Sequence, residues 1–451
     1  MPDFTFNNDY LPSEIMYSNF LGAMLLSAAV MLQCGSAEAG DETQPVAVQA
    51  SASNEVPAYA PKVLKQPVPV AREEIDRLFD EAARAAWAQV QSNYHDATGL
   101  VNAQPTWAYP TAWDVASALA SFYSARGLGL ISDEDYKRRA SKLLATMQQA
   151  RLYQGIAYGR NYDAKTGELV GPDQKPHANG TGFSAMDLGR LLSVLAVVAK
   201  QDPDLADAAR GVASRIDAKR VIRDGYLQGT ELNKSGQPEA YQEGRLGYEQ
   251  YAAAGFALWN MRAANAISAR GNATKASVLG IPVTGDKRGL DRLTSEPFIM
   301  HGLEMGWNAE MRDMAWQTLS AQAARFASTG KLTMVSEDAI NQAPHYFYYY
   351  CVYCSGKPFV INIHTPGVEL NGPRWLSTKA AFAWLALLPN EYTWKAAQAV
   401  KPALDAKSGW ATGVFEDSNT STATYSLNTA ALILEAALYR KTGKPLIAQA
   451  R

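Results

Sequence analysis

The sequence predicts an all-α protein, an (α/α)6-type toroid of alternating outer amphipathic and inner apolar helices with a few short strands in loops. Three observations carry this expectation. Apolar residues recur at three- and four-residue spacing in segment after segment. Segments with one apolar face alternate with segments apolar on every side, which must be buried all round. Charged residues make up only 19% of the 451 residues, below the usual level of about 25%, as a ring of fully buried helices requires.

Residues 1–39 read as a secretory signal peptide. Phe20 to Leu32 is an apolar run too short for a helix of about 20 residues across a bilayer. Ala37-Glu38-Ala39 then supplies a small-x-small cleavage pattern before Gly40. No Lys or Arg precedes the run and the first basic residue is Lys62, so Met16 is an alternative start. Cys34 follows Leu32-Gln33, a poor match to a lipoprotein signal. Residues 40–70, rich in Ala, Ser, Pro, Gln and Val, form a linker that cannot bury a core. Residues 71–451 are expected to be one toroid domain. The expected location is periplasmic or secreted, with no transmembrane helix after leader cleavage.

Helices are expected in order at 72–91 (amphipathic), 114–125 (small and apolar), 133–150 (amphipathic), 187–199 (apolar) and 203–216 (amphipathic). They continue at 248–262 (apolar), 308–328 (amphipathic), 377–388 (apolar), 391–404 (amphipathic) and 426–439 (apolar). These make five pairs, with room for a sixth between 263 and 307. Asp96 to Gly99, Asp163 to Gly167 and Asp405 to Gly409 share a D-A-x-[ST]-G form, a turn in which Asp caps its own backbone and Gly takes a positive φ. Strand signal is confined to Pro358–Ile363 and Gly225–Leu232.

A formal charge of −2 shows no basic excess, which excludes a nucleic-acid partner on composition. The same balance favours a neutral polymer over an acidic one. An apolar share of 47% excludes disorder. Once Cys34 leaves with the leader, Cys351 and Cys354 remain; two thiols cannot complete a zinc site, and a local disulfide is expected. There is no G-x-S-x-G, H-E-x-x-H, P-loop or G-x-G-x-x-G, and the five histidines share no ligand spacing. Neither metal nor cofactor is expected, and the chain is expected to be a monomer.

What remains is carboxylates beside aromatics in the loops that open the apolar helices. Trp107, Tyr109, Trp113 and Asp114 form one cluster, and Asp187 with Arg190 a second. Glu243, Arg245, Tyr248, Glu249 and Tyr251 form a third, Asp338 with Tyr346 a fourth, and Trp410 with Glu416 a fifth. Glycoside hydrolysis needs two carboxyl groups, one protonated for the leaving group and one ionised to activate water or attack, and aromatic rings stack on sugar faces. Glu243 is expected as general acid with Glu249 next, and the base falls to Asp114, then Asp338, then Asp187. Arg190, Arg245, Trp107, Tyr109, Trp113, Tyr248, Tyr251, Tyr346, Trp410 and Glu416 are expected to line the sugar subsites. Structural readings stand beside these. Thr111-x-x-Asp114 and Ser184-x-x-Asp187 fit capping boxes, Glu249 is placed to pair with Arg245, and Tyr248 with Tyr251 fits a core stripe.

Several motifs occur in one order: Tyr94-His-Asp-Ala-Thr-Gly, Trp113-Asp114, Phe183-Ser-Ala-Met-Asp-Leu-Gly-Arg190, Glu243-Gly-Arg-Leu-Gly-Tyr-Glu-Gln250, Ser336-Glu-Asp338, Ser377-Thr-Lys379 and Asn428-Thr429. Over residues 75–445 this order resembles the bacterial domain of unknown function 3131. That family is similar to the (α/α)6-barrel endo-β-1,2-glucanases and the glycoamylase-like domain. The resemblance implies an exported, inverting glycoside hydrolase acting on a bacterial polysaccharide such as a β-1,2-linked glucan. The alternatives are a non-catalytic polysaccharide-binding or export-assembly protein on the same fold, and a polysaccharide lyase.

Overall fold

The computed structural model describes residues 55–449 apart from 234, 290, 343–346, 364–368 and 371. All lie in the compact unit Val48–Arg451; the expected leader falls outside the described residues.

Twelve α-helices are described: α1 (Arg72–Ser92), α2 (Ala112–Leu128), α3 (Asp133–Gln149), α4 (Ala185–Gln201), α5 (Pro203–Ala213), the single turn α6 (Ala218–Val221), α7 (Tyr248–Ala257), α8 (Glu296–Met300), α9 (Ala309–Thr329), α10 (Thr378–Leu387), α11 (Glu391–Ala399) and α12 (Leu427–Thr442). Of those expected to be amphipathic, α3 buries one stripe, Tyr136, Ala140, Leu143, Leu144 and Met147, whereas α9 is buried without a break from Met314 to Ala323, against expectation. Those expected to be apolar are buried nearly all round, and every residue of α10 is buried. Side-chain caps start three of the buried helices. Thr111 accepts from the Trp113 and Asp114 N–H groups, and Ser184 and Ser426 accept from the third helical N–H of α4 and α12.

The buried helices follow one another in a closed order: α2 packs on α4, α4 on α7, α7 on α8, α8 on α10, α10 on α12 and α12 on α2. Outside them, α1 lies on α12 and α2, α3 on α5, α5 on α4, α9 on α8, and α11 on α10. A side chain on Gly189 would collide with Ala252, and one on Gly255 with the Gly189 carbonyl, so bare backbone lets α4 and α7 touch. The D-A-x-[ST]-G turns form as expected at two sites, where Asp163 and Asp405 each accept two following N–H groups. At the third, Asp96 instead pairs with Arg138, while Gly99 (φ 76°) passes against the α3 backbone with no room for a Cβ.

Three further expectations need correction. Residues 263–307 do not hold a helical pair. A hairpin, Ala273–Val278 with Ile281–Asp286, occupies this stretch before α8, which is five residues long and continues as the π-turn His301–Met305. Strands are also more extensive than short loop pieces. Tyr226–Leu232 pairs with both Gly182–Phe183 and Pro238–Gln242, and Phe347–Cys354 pairs with both Glu337–Ala339 and Lys357–Ile363. Nor are the cysteines bonded. Cys351 and Cys354 are free buried thiols, and Cys354 Sγ accepts from Asn362 Nδ2 at 2.7 Å. No described helix is long and apolar enough to cross a membrane.

Candidate functional site

The buried helices all open at their N-termini on one set of loops, and two small sheets carry acids to that mouth. Pairing of Gln228 with Gln242 brings Glu243 just past its strand, where its N–H donates to the Leu227 carbonyl. Glu243 Oε2 accepts from the Ala185 N–H at 2.5 Å, in the first turn of α4, where helix polarity favours negative charge. Tyr241 Oη lies 3.3 Å and Arg160 Nη2 3.9 Å from Oε1. On α4 itself, half-buried Asp187 has its carboxyl pushed up to about 7, first by burial and then by the Glu243 charge, against Arg160. Asp114 completes its capping box by accepting from the Thr111 N–H at 3.0 Å, and burial raises its carboxyl too.

A second group of acids gathers before α10. In Glu337–Ala339 successive side chains alternate in direction. Asp338 turns inward, accepting from Trp375 Nε1 at 2.8 Å and lying 3.5 Å from Lys379 Nζ; burial pushes it up to about 6. Glu337 is half-buried and accepts from Tyr248 Oη at 2.6 Å. Burial, then the charge of Glu296, pushes Glu337 up to about 7. Glu296 on α8 accepts from Lys379 Nζ at 2.7 Å and from Asn428 Nδ2 at 2.6 Å.

Beneath the mouth the buried helices share one polar knot. Arg190 donates to Ser117 Oγ (2.7 Å), Asn428 Oδ1 (2.6 Å), Glu304 Oε1 (3.3 Å) and Glu435 Oε1 (3.4 Å). Its guanidinium lies 4.9 Å from the Trp113 ring centre, and Tyr251 Oη donates to Glu304. Asn428 joins this knot to Glu296 and so to Lys379.

The expected site residues therefore divide. Asp114, Asp187, Glu243, Arg245, Trp113 and Tyr248 stand at the mouth, half-buried, and Trp107 lies further out, 40% exposed and edge-on to Tyr109. Glu249 is fully buried and held by Arg288 at 2.7 Å, not by Arg245; the i, i+4 partner loses to one 39 residues on. Asp338, Arg190 and Tyr251 are buried beneath the mouth. Trp410 is in the core, its Nε1 donating to the Ala82 carbonyl and its ring edge-on to Phe382, so it lines no open subsite. Glu416 is tied to Arg325 at 2.7 Å. Tyr346 lies outside the described residues. Glu337 and Lys379 stand in the motifs read from sequence but were given no role there, and Glu296, Glu304, Glu435 and Arg160 were not foreseen, although single charges such as Lys379 and Glu435 inside apolar helices are a signal, since a buried charge needs a partner.

Among the described residues, no group of His, Cys, Asp and Glu is placed to hold a metal ion. A hollow of about 490 Å3 lies at the other end of the helices, lined by Arg126, Lys137, Asp202 and Asp204 among others. Its cations are already paired, Arg126 with Asp202 and Lys137 with Asp204, each at 2.8 Å.

The raised Asp187 carboxyl has a stability consequence. The folded protein holds this proton more tightly than the unfolded chain, whose Asp titrates near about 3.9. The resulting stabilisation is complete at low pH and is lost as pH rises from about 4 through about 7. Asp187→Asn is expected to gain stability relative to wild type across that window and to keep the gain above it. Urea midpoints at about pH 4 and 8 test this; the same difference at both pH values rejects it.

Residues 81–443 match the family described as "Protein of unknown function (DUF3131)". No curated protein sequence matches the chain. Solved structures share its fold. A candidate glucoamylase from Bacteroides fragilis superposes with a TM-score of 0.60 at 14% identity, covering 85% of this chain and 94% of that one. The endo-β-1,2-glucanase of Chitinophaga pinensis, in complex with sophorotriose and glucose, gives 0.57 at 13% identity, covering 84% and 94%. The endo-β-1,2-glucanase of Talaromyces funiculosus, with sophorose, gives 0.57 at 11%, covering 84% and 87%.

Proposed function

The chain belongs to the DUF3131 family, and from that premise we propose that it is an exported glycoside hydrolase that cleaves a bacterial polysaccharide within an (α/α)6-type toroid. One observation carries the reading: three half-buried acids, Asp187, Glu243 and Glu337, gather at the mouth of the buried helices, where burial pushes Asp187 and Glu337 up to about 7. A proton retained near neutral pH is what a general acid needs. Glu337 reaches the first residue of α7, Tyr248, and α7 packs on α4, which carries Asp187. One protonated and one ionised carboxyl group are what glycoside hydrolysis uses. The fold's likeness to β-1,2-glucanases supports a glucan of that linkage as the first substrate to try.

In this reading Glu337 donates its proton to the glycosidic oxygen as the anomeric C–O bond breaks. Water then adds to the anomeric carbon and gives its proton to Glu243. The Ala185 N–H and Arg160 hold the Glu243 carboxyl group in place. That reverses the role sequence favoured for Glu243. Asp187, beside it, carries the proton that two adjacent carboxyls share. Trp113 and Tyr248 offer ring faces at the same mouth.

The test is incubation of the purified mature chain with linear β-glucans and separation of the products. New reducing ends support the reading. Binding without any product marks the non-catalytic polysaccharide-binding alternative. The rate is expected to fall as pH rises through about 7, where Glu337 loses its proton; a rate that stays level from pH 6 to 9 removes Glu337 from the donor's role.

A further inference from the structure

The chain as a whole has no basic excess, yet three arginines stand together on the α7–α8 side of the mouth. Arg288 is fully engaged, with Glu249 at 2.7 Å and Asp286 at 2.6 Å. Arg292 lies over the Tyr349 ring at 4.0 Å, in the field of Glu337. Arg245 differs from both. It sits two residues after Glu243 and three before Tyr248, half-buried, and among the described residues no carboxylate comes within 4.0 Å of it. Its Nη1 donates to the Gln242 and Gly244 carbonyls and to Gln242 Oε1. Its Nε is buried with no acceptor. Burial and the neighbouring Arg288 and Arg292 charges pull its pKa below the usual arginine range, with Asp286 and Glu249 opposing from a distance. A guanidinium held in this way has no described carboxylate in contact, and it is a planar donor suited to carboxylate and phosphate oxygens.

We propose that Arg245, backed by Arg288 and Arg292, forms a subsite for an anionic substituent of the glycan, a carboxylate or phosphate group on a sugar near the scissile bond. This rests on the glycoside-hydrolase reading above and departs from the neutral polymer that composition favoured. Net charge averages over the surface, whereas a subsite is set by which cations the loops bring together and which of them lack partners.

The experiment measures binding and cleavage by the full mature chain on three polymers: a uronate-containing glycan, the same glycan with its carboxyls reduced to alcohols, and a phosphorylated glucan. Wild type is expected to bind the uronate or the phosphate polymer about tenfold more tightly than the reduced one, with the preference fading as salt is raised; about tenfold is the scale of one charge-assisted hydrogen bond. The arm that shows the preference identifies the anion. Arg245→Met is expected to raise KM on that polymer about tenfold more than on the reduced one, with kcat much less affected, and Arg245→Lys to keep part of the preference. Equal affinity for charged and reduced polymers overturns the subsite and leaves the hydrolase reading standing. So does an Arg245→Met variant that weakens both alike, the result expected if Arg245 only braces Gln242 and Gly244. Failure to bind or cleave any polymer overturns both.

Discussion

Glu337→Gln is expected to lower kcat on an unactivated glycan by about 10³-fold, the scale of general-acid catalysis, with little change in melting temperature. Below about pH 7 Glu337 is neutral, so an amide replaces an acid of the same shape and charge. The Gln carbonyl can still accept from Tyr248 Oη, which now donates at 2.6 Å. What disappears is the proton for the leaving oxygen. On an aryl glycoside whose leaving group needs no proton, the loss is therefore expected to shrink sharply. Glu243→Gln is expected to lose activity on both substrates, and added azide, which needs no base, to restore cleavage of the aryl glycoside. The opposite pattern returns the acid's role to Glu243. A Glu337→Gln enzyme with wild-type kcat on the glycan ends the assignment.

The helices were legible because their cause is local. Tyr136, Ala140, Leu143 and Met147 mark one stripe in α3, and the uninterrupted apolar run of α10 can only be buried. The hairpin at 273–286 was not legible as a missing helix. Its strands are only six residues each, the first exposed over most of its length, too little for a period to stand out, and the second packs against α9.

The site was half legible, for a related reason. That carboxylates and aromatics open the buried helices could be read directly, and Asp114, Asp187 and Glu243 do meet there. Which acid faces the cleft could not, because partners lie far apart in the chain. Glu249 lies beside Arg245 in sequence but is claimed by Arg288, which arrives from the far strand of the hairpin. Glu337 and Asp338 are neighbours, and only the strand register, Tyr349 opposite Glu337, decides that one turns out and the other in. Trp410 reads like a stacking residue, yet its short strand carries it into the core against α1. Arginine composition misleads in both directions: Arg190 is sealed within the helices, and Arg245, which has no ion-pair partner among the described residues, is half-buried at the mouth.

Arg190→Met is expected to cost about 3–5 kcal/mol of stability, the scale for removing one partner from a buried ion pair. Arg190, Glu304 and Glu435 are all fully buried, and the arginine is the one cation in contact with the two acids among the described residues. One positive charge cannot balance two carboxylates, and burial, then the charge of Glu304, drives Glu435 well above the ordinary range. Wild type thus buries a proton on Glu435 beside an Arg190–Glu304 pair. Without the guanidinium Glu304 must also take up a proton on folding, so the deficit should grow as pH rises above the unfolded glutamate value of about 4.3. Ser117 and Asn428 lose their donor, and Trp113 loses the cation under its ring, so the damage reaches the mouth. Adding Glu304→Gln and Glu435→Gln to Arg190→Met removes the stranded acids, and the triple variant is expected to be more stable than the single one. Such non-additivity marks a true network. Urea unfolding at pH 5 and 8 provides the measurement. A loss below about 1 kcal/mol, or a triple variant weaker than the single, would mean that Arg190 fills space without holding the acids.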